Sequence, residues 1–238
     1  MSGATIAKRV DAVDWPGVSA DLDAQGWAIL PGLLSAAEAD ALAALYGQEA
    51  GFRSRVVMSR HGFGRGEYKY FSYPLPDLIQ SLRTSAYPRL APIANRWQER
   101  MGKAERFPDD HAAFLDRCHR AGQTRPTPLL LEYGPDDYNC LHRDLYGEHV
   151  FPLQIAILLA QPGEDFTGGE FVMTEQRPRM QTRPMVMPLR KADGAVFAVA
   201  GRPMKGVRGD YQVKLNHGVS KLTSGKRHTL GVIFHDAV

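Results

Sequence analysis

The chain has 238 residues, 44% apolar and 23% charged, which is enough to bury a full core and is neither a fibre nor a disordered composition. Two cysteines, Cys118 and Cys140, are too few for a disulfide framework. The start "MSGATIAKRVDAVDW" lacks the apolar stretch of a secretory signal, and "IAILLA" falls far short of the ~20 residues of a membrane span, so a cytoplasmic protein is the simplest expectation.

In chain order, "VSADLDAQG" suggests a helix ended by Gly26, and "WAIL" a short strand. "SAAEADALAALYG" predicts a helix opened by a capping box of Ser35 and Glu38 and closed by Gly47. "RSRVVM" and "EYKYFSYP" read as a hairpin across "SRHGFGRG", and two or three helices follow between 75 and 122, broken near Pro88 and Pro108. The net charge of +3 hides an imbalance: residues 51 to 106 carry eleven Lys and Arg against four Asp and Glu, and the rest of the chain 18 against 22. That leaves solvated helix faces and a polyanion-binding surface both open.

From Thr127 the texture changes to eight short strands: "PLLLEYG", "YNCLHRD", "FPLQIAILLAQ", "GEFVMTEQ", "RPMVMPL", "AVFAVA", "YQVKLNHGVSKL" and "RHTLGVIFH". This is the cadence of a β-sandwich or jelly roll, giving an α+β chain with a mainly β core braced by the N-terminal helices. The mouth of such a barrel is where a site is expected.

Along the "YNCLHRD" strand, alternation puts His142 and Asp144 on one face with Arg143 on the other. A third metal ligand has to come from elsewhere, and His217 in "KLNHGVSKL" lies on a later strand. Two imidazoles and one carboxylate form the facial triad of non-haem Fe(II) oxygenases. Beyond the turn-like "TSG", a strand pair would bring Arg227 back beside the pocket, with Thr229, Gly231 and Ile233 on its face. A guanidinium with a hydroxyl two residues on suits a carboxylate, which the planar fork grips at two points. Cys140 shares the parity of His142, and a buried thiol is its simpler reading. His149, His228 and His235 read as surface or packing residues.

His142-x-Asp144, His217 and Arg227, with "TGGEF" between them, resemble the iron- and 2-oxoglutarate-dependent dioxygenases in content and order. The opening "LDAQGWAILPGLLSAAEADAL" is similar to prolyl-hydroxylase-like and phytanoyl-hydroxylase-like members. "LHRDLYGEHVFPLQ" and "NHGVSKLTSGKRHTLGVIFHDA" resemble the bacterial oxygenases described as acting on alkylated, damaged nucleic acid. The resemblance implies a single dioxygenase domain over 1 to 238. A helix-rich part, 1 to 122, would carry the hairpin at about 53 to 74, and a double-stranded β-helix of cupin-like type would fill 123 to 238.

It also implies Fe(II) on His142, Asp144 and His217, and 2-oxoglutarate and O2 as co-substrates. Arg227, Thr229 and Tyr133 would hold 2-oxoglutarate. The implied reaction hydroxylates a C–H bond, releases succinate and CO2, and on an alkylated DNA or RNA base removes the alkyl group. Arg143, Tyr146, Arg65, Tyr68 and Tyr70 are candidates to meet the substrate, since basic and aromatic side chains suit a nucleic-acid strand. The best-known alkylation-repair members have a second arginine six residues after the co-substrate arginine, where this chain has Ile233. The alternatives are therefore a hydroxylase of a protein side chain or small metabolite, and a non-enzymatic cupin-like metal-binding protein.

Overall fold

The elements at the start of the chain form where their end signals stand, in a computed structural model that describes residues 3–145, 147–207 and 209–238. Helix α1 (Gly3–Asp11), which has no strong sequence signal, packs along a later helix. Helix α2 (Trp15–Gln25) is capped by the Asp14 side chain and ended by left-handed Gly26. Strand β1 (Trp27–Leu30) follows, then α3 (Ala36–Ala44), whose Ser35–Glu38 capping box is complete. Glu38 also takes a fork from Arg9 of α1 at 2.6 and 2.9 Å, so one carboxylate ties two helices together.

Strands β2 (Phe52–Val57) and β4 (Glu67–Phe71) pair as the expected hairpin, with β3 (Gly64–Arg65) inside its connection. Pro88 predicts a helix break, but α4 (Asp77–Arg100) runs unbroken through both Pro88 and Pro92. Each internal proline costs about 3 kcal/mol. Nine apolar residues of this helix, including Ile79, Leu82, Tyr87, Leu90 and Trp97, are buried, and that packing outweighs the local cost. Helix α5 (His111–Arg120) completes the helical part.

The remaining strands are β5 (Leu129–Tyr133), β6 (Tyr138–His142), β7 (Leu153–Leu158), β8 (Phe166–Gly168), β9 (Phe171–Gln176), β10 (Arg183–Met187), β11 (Gly194–Ala198), β12 (Gly201–Gly206), β13 (Gly209–Val219), β14 (Leu222–Gly225) and β15 (Arg227–Val232). All eight expected strands are present, and β8, β12 and β14 are additional. A seven-stranded sheet runs β1-β11-β7-β15-β5-β4-β2, and a second runs β10-β9-β13-β6-β3 with β12 on β13. All pairings between these strands are antiparallel. The hairpin and β1 thus complete a sheet of the β-rich half.

The sheets face each other, since the Phe197 ring on β11 lies 4.7 Å from the His217 ring on β13. Register fixes which side chains of the seven-stranded sheet share that inner face. They are Phe197, then Gln154, Ala156 and Leu158, then Arg227, Thr229 and Gly231, then Leu129, Leu131 and Tyr133, and finally Tyr68 and Tyr70. Helices α2, α3 and α4 pack against strands of this sheet, and all of β7 is buried.

The "TSG" turn predicts a strand pair that brings Arg227 back beside the pocket. In the structure Leu222–Gly225 is itself a strand, paired with β8, and it carries the chain from one sheet to the other. Arg227 therefore faces the metal sheet from the opposite wall.

The basic segment does not form one surface. Lys69 is buried and donates to the carbonyls of Tyr46 and Gln48, and Arg83 is buried against Asp236. Arg55, Arg89, Arg96 and Arg100 pair with Glu67, Asp11, Asp23 and Asp210. Three of these four acidic partners come from outside the segment and offset part of the imbalance that a linear count displays.

Candidate metal centre

His142 ends β6, and Asp144 lies two residues beyond that strand rather than on it. The two still converge with His217. Asp144 Oδ1 is 3.5 Å from His142 Nε2, and Oδ2 is 3.4 Å from His217 Nε2. One potential ligand atom from each residue lies within 4.8 Å of the others. His142 Nδ1 donates to the Cys140 carbonyl at 2.8 Å, which fixes the tautomer and leaves Nε2 as the lone-pair nitrogen facing the other ligands. Burial works to raise the Asp144 carboxyl, but the His217 and His142 imidazoles and the Gln154 amide overcome it and hold the group at about 2. Burial, reinforced by His217, lowers the His142 imidazole. Asp144 is thus an anion and His142 a neutral imidazole near pH 7, the states a cation binds.

A β-bulge shapes this wall. His217 pairs with His142, but two residues on Val219 pairs with Asn139, so β6 carries one extra residue there. The bulge breaks strict alternation, a recurrent device near active sites. As a result Cys140 does not share the face of His142 and is exposed, not buried as a simple thiol would be. Instead Asn139 turns toward the Tyr133 hydroxyl, favouring its ionised form. Asn139 was not legible because its parity is wrong without the bulge.

Opposite stands Arg227, 2% exposed, whose Nη1 donates to Thr229 Oγ1 at 2.6 Å. Burial lowers its guanidinium to about 10 and raises the Tyr133 hydroxyl to about 12. The Arg227 Nε, the Tyr133 hydroxyl, the Gln154 Nε2 and the His217 Nδ1 are all buried with no hydrogen-bond partner among the described residues. Each costs about 1–3 kcal/mol if left unmade, so four such atoms on the two facing walls mark a place built for a polar ligand. A cavity of about 600 Å³ reaches Arg227 from the side of β8 to β10, lined also by Phe166, Gly169, Phe171, Val186 and Pro188, while His142, Asp144, His217, Tyr133 and Gln154 are not part of its lining. In "TGGEF", Gly168 and Gly169 are both left-handed, at φ 70 and 64. A Cβ on Gly169 would overlap Leu222 and press Arg227 Cδ at 3.1 Å, which explains the glycine beside the guanidinium.

Among the other expected residues, Tyr68 and Tyr70 lie on the inner face, their rings 5.3 Å apart and perpendicular. The Asp144 charge reaches Tyr70 and adds to the burial that raises its hydroxyl. The Arg53 guanidinium stacks 4.3 Å over the Tyr70 ring, a contact no sequence signal indicates. Arg65 is largely exposed, 4.0 Å from Asp137, and Arg143 is exposed. Tyr146 lies outside the described residues. Of the remaining histidines, His228 bonds Glu132 at 2.8 Å, His235 is buried under Phe151, and the His149 main chain bonds Gln123.

A family of oxygenases described as catalysing oxidative methylation of damaged DNA matches residues 66–237. The chain belongs to this oxygenase family. Two uncharacterized proteins from strains of Mycobacterium tuberculosis are each 47% identical to it over 167 residues, 70% of this chain and 72% of theirs. The oxygenase also has the fold of a Pseudomonas putida prolyl-4-hydroxylase, with a TM-score of 0.55, 15% identity, and coverage of 94% of this chain and 99% of that one. A 2OG-Fe(II) oxygenase family oxidoreductase of Burkholderia pseudomallei gives 0.54, 16%, 92% and 90%. The double-stranded β-helix expected of the core is therefore the observed fold. Fe(II), 2-oxoglutarate and O2 are the cofactors that family and fold imply, and the two imidazoles and one carboxylate fit that iron. No helix among the described residues is long and apolar enough to cross a membrane.

Proposed function

We propose that this oxygenase oxidises alkylated DNA or RNA bases, with His142, Asp144 and His217 holding Fe(II) and Arg227, Thr229 and Tyr133 holding 2-oxoglutarate. The observation that carries the reading is the buried, half-satisfied Arg227 facing the ligand cluster from the opposite wall, because a cupin-like metal store needs no such cation. When bound, iron with 2-oxoglutarate and O2 supplies the oxidation that hydroxylates a substrate C–H bond and releases succinate and CO2. His142, Asp144 and His217 would hold the ion by three side chains and leave the rest of its coordination to the co-substrates. Arg227 offers a planar fork to the far carboxylate, and Thr229 fixes the angle of that fork. Tyr133 walls the pocket and offers its hydroxyl. The buried walls keep water from the reaction.

Substrate approaches past Tyr70 and Tyr68, which offer rings to a base, while Arg60, Arg65 and Arg143 stand exposed for phosphates. Phe63 and Leu141 are exposed nearby, where the backbone of Phe63 bonds that of Cys140. A damaged base in a duplex would have to be flipped into the pocket. The sheet shared by the hairpin and the β-rich half supports a single dioxygenase domain over 1 to 238, and a cytoplasmic setting fits this chemistry.

Ile233, apolar and buried where alkylation-repair members have an arginine, favours a second reading, hydroxylation of a peptide side chain or small metabolite. Succinate release on methylated single- and double-stranded DNA, methylated RNA, proline-containing peptides and free metabolites separates the two. Stimulation by a methylated nucleic acid with formaldehyde release is expected, and stimulation by peptides or metabolites alone would overturn the nucleic-acid reading.

A further inference from the structure

Strand β7 reads Leu153, Gln154, Ile155, Ala156, Ile157 and Leu158, so one amide is set in an otherwise apolar, wholly buried strand. Gln154 is 5% exposed, and its Nε2 has no hydrogen-bond partner. A buried amide in that state is a net cost unless something pairs with it. Register places Gln154 on the inner face beside Phe197, whose ring is 4.7 Å from that of His217. His217 in turn is 3.4 Å from Asp144. The amide thus faces the ligand cluster from the wall opposite β6 and β13, with the Asp144 carboxylate beside His217 the acceptor in that cluster.

We propose that Gln154 is a positioning residue of the metal centre, donating from Nε2 to the Asp144 oxygen that does not face the ion. A carboxylate ligand that binds through one oxygen needs its other oxygen held, or it swings between one- and two-oxygen coordination. An amide does this without adding a charge, so the site keeps a single anion against a divalent cation. This inference rests on the triad holding a metal.

The test is titration of metal-free protein with Mn(II) and Co(II), comparing wild type with Gln154→Met and Gln154→Asn. Met keeps the volume and removes the donor, and Asn keeps an amide on a shorter arm. About tenfold weaker Mn(II) binding is expected in Gln154→Met, with a changed Co(II) absorption band and an unchanged melting temperature of the metal-free protein. Partial recovery is expected in Gln154→Asn. Equal affinity and an identical Co(II) band in wild type and Gln154→Met would overturn the role of Gln154 while leaving the metal site intact. Failure of wild type to bind either metal would instead overturn the site itself. Should Gln154→Met not fold, the Asn variant alone decides by the same two readouts.

Discussion

Arg227 and Tyr133 are cross-strand partners on β15 and β5, with the guanidinium 5.6 Å from the ring centroid and both side chains buried. Each keeps one polar atom unpaired. An arginine held this way is destabilising on its own, and a bound carboxylate relieves it.

Arg227→Leu is accordingly expected to raise the apparent KM for 2-oxoglutarate at least tenfold. Removing an uncompensated buried cation should leave the melting temperature of the ligand-free protein unchanged or higher. Steady-state kinetics and calorimetry of the same preparation check both halves.

Gly169→Ala forces a left-handed residue to carry a Cβ and drives that Cβ into Leu222 and toward Arg227. A loss of about 1–2 kcal/mol of stability is expected from the backbone alone. Because the pressure falls on Arg227, the KM for 2-oxoglutarate should rise as well, whereas Gly163→Ala, left-handed but with open space around it, should lose stability only. Urea melts and kinetics on the two variants separate the effects.

The ligands and Arg227 were legible because residue type, spacing and order constrain them more tightly than any propensity does. The strands were legible from alternation and turn residues. What failed was whatever depends on tertiary context. Pro88 read as a break because the burial that holds α4 together is not local. The opposite wall of Arg227 was not legible because nothing in "TSG" says that the chain changes sheets there. Cys140 was misplaced and Asn139 overlooked because of one extra residue in β6, and Gln154 looked like any residue of an apolar strand. The basic run of 51 to 106 left two readings open for the same reason, since the acidic partners of Arg89, Arg96 and Arg100 lie far away in sequence.

The Glu38–Arg9 pair makes stability depend on acid. Arg9 holds the Glu38 carboxyl at about 2, against an ordinary value of 4.5. A depressed folded value contributes stability that is complete above about 4.5 and is lost as pH falls toward about 2, on the order of 3 kcal/mol at most. Glu38→Gln should therefore lower stability at pH 7 and flatten its fall between pH 4.5 and 2, as read from urea melts across that range.

Asp236 accepts from Arg83 at 2.9 Å with both side chains fully buried, and it also takes bonds from Tyr73 and His119. Asp236→Ala leaves the Arg83 charge without its partner and is expected to cost about 3–5 kcal/mol. Chemical denaturation checks the loss. Because Arg83 also donates to the carbonyls of Ile233, Phe234 and His235, the C-terminal segment should become the first region to exchange amide protons.

The central claim is that His142, Asp144 and His217 hold an iron that turns over 2-oxoglutarate. The most direct measurement is Fe(II)-dependent succinate formation by wild type and by Asp144→Ala, each verified as folded by circular dichroism. Succinate from wild type and a loss of at least a hundredfold in the variant is the expected result; equal succinate from the two folded proteins would contradict the account.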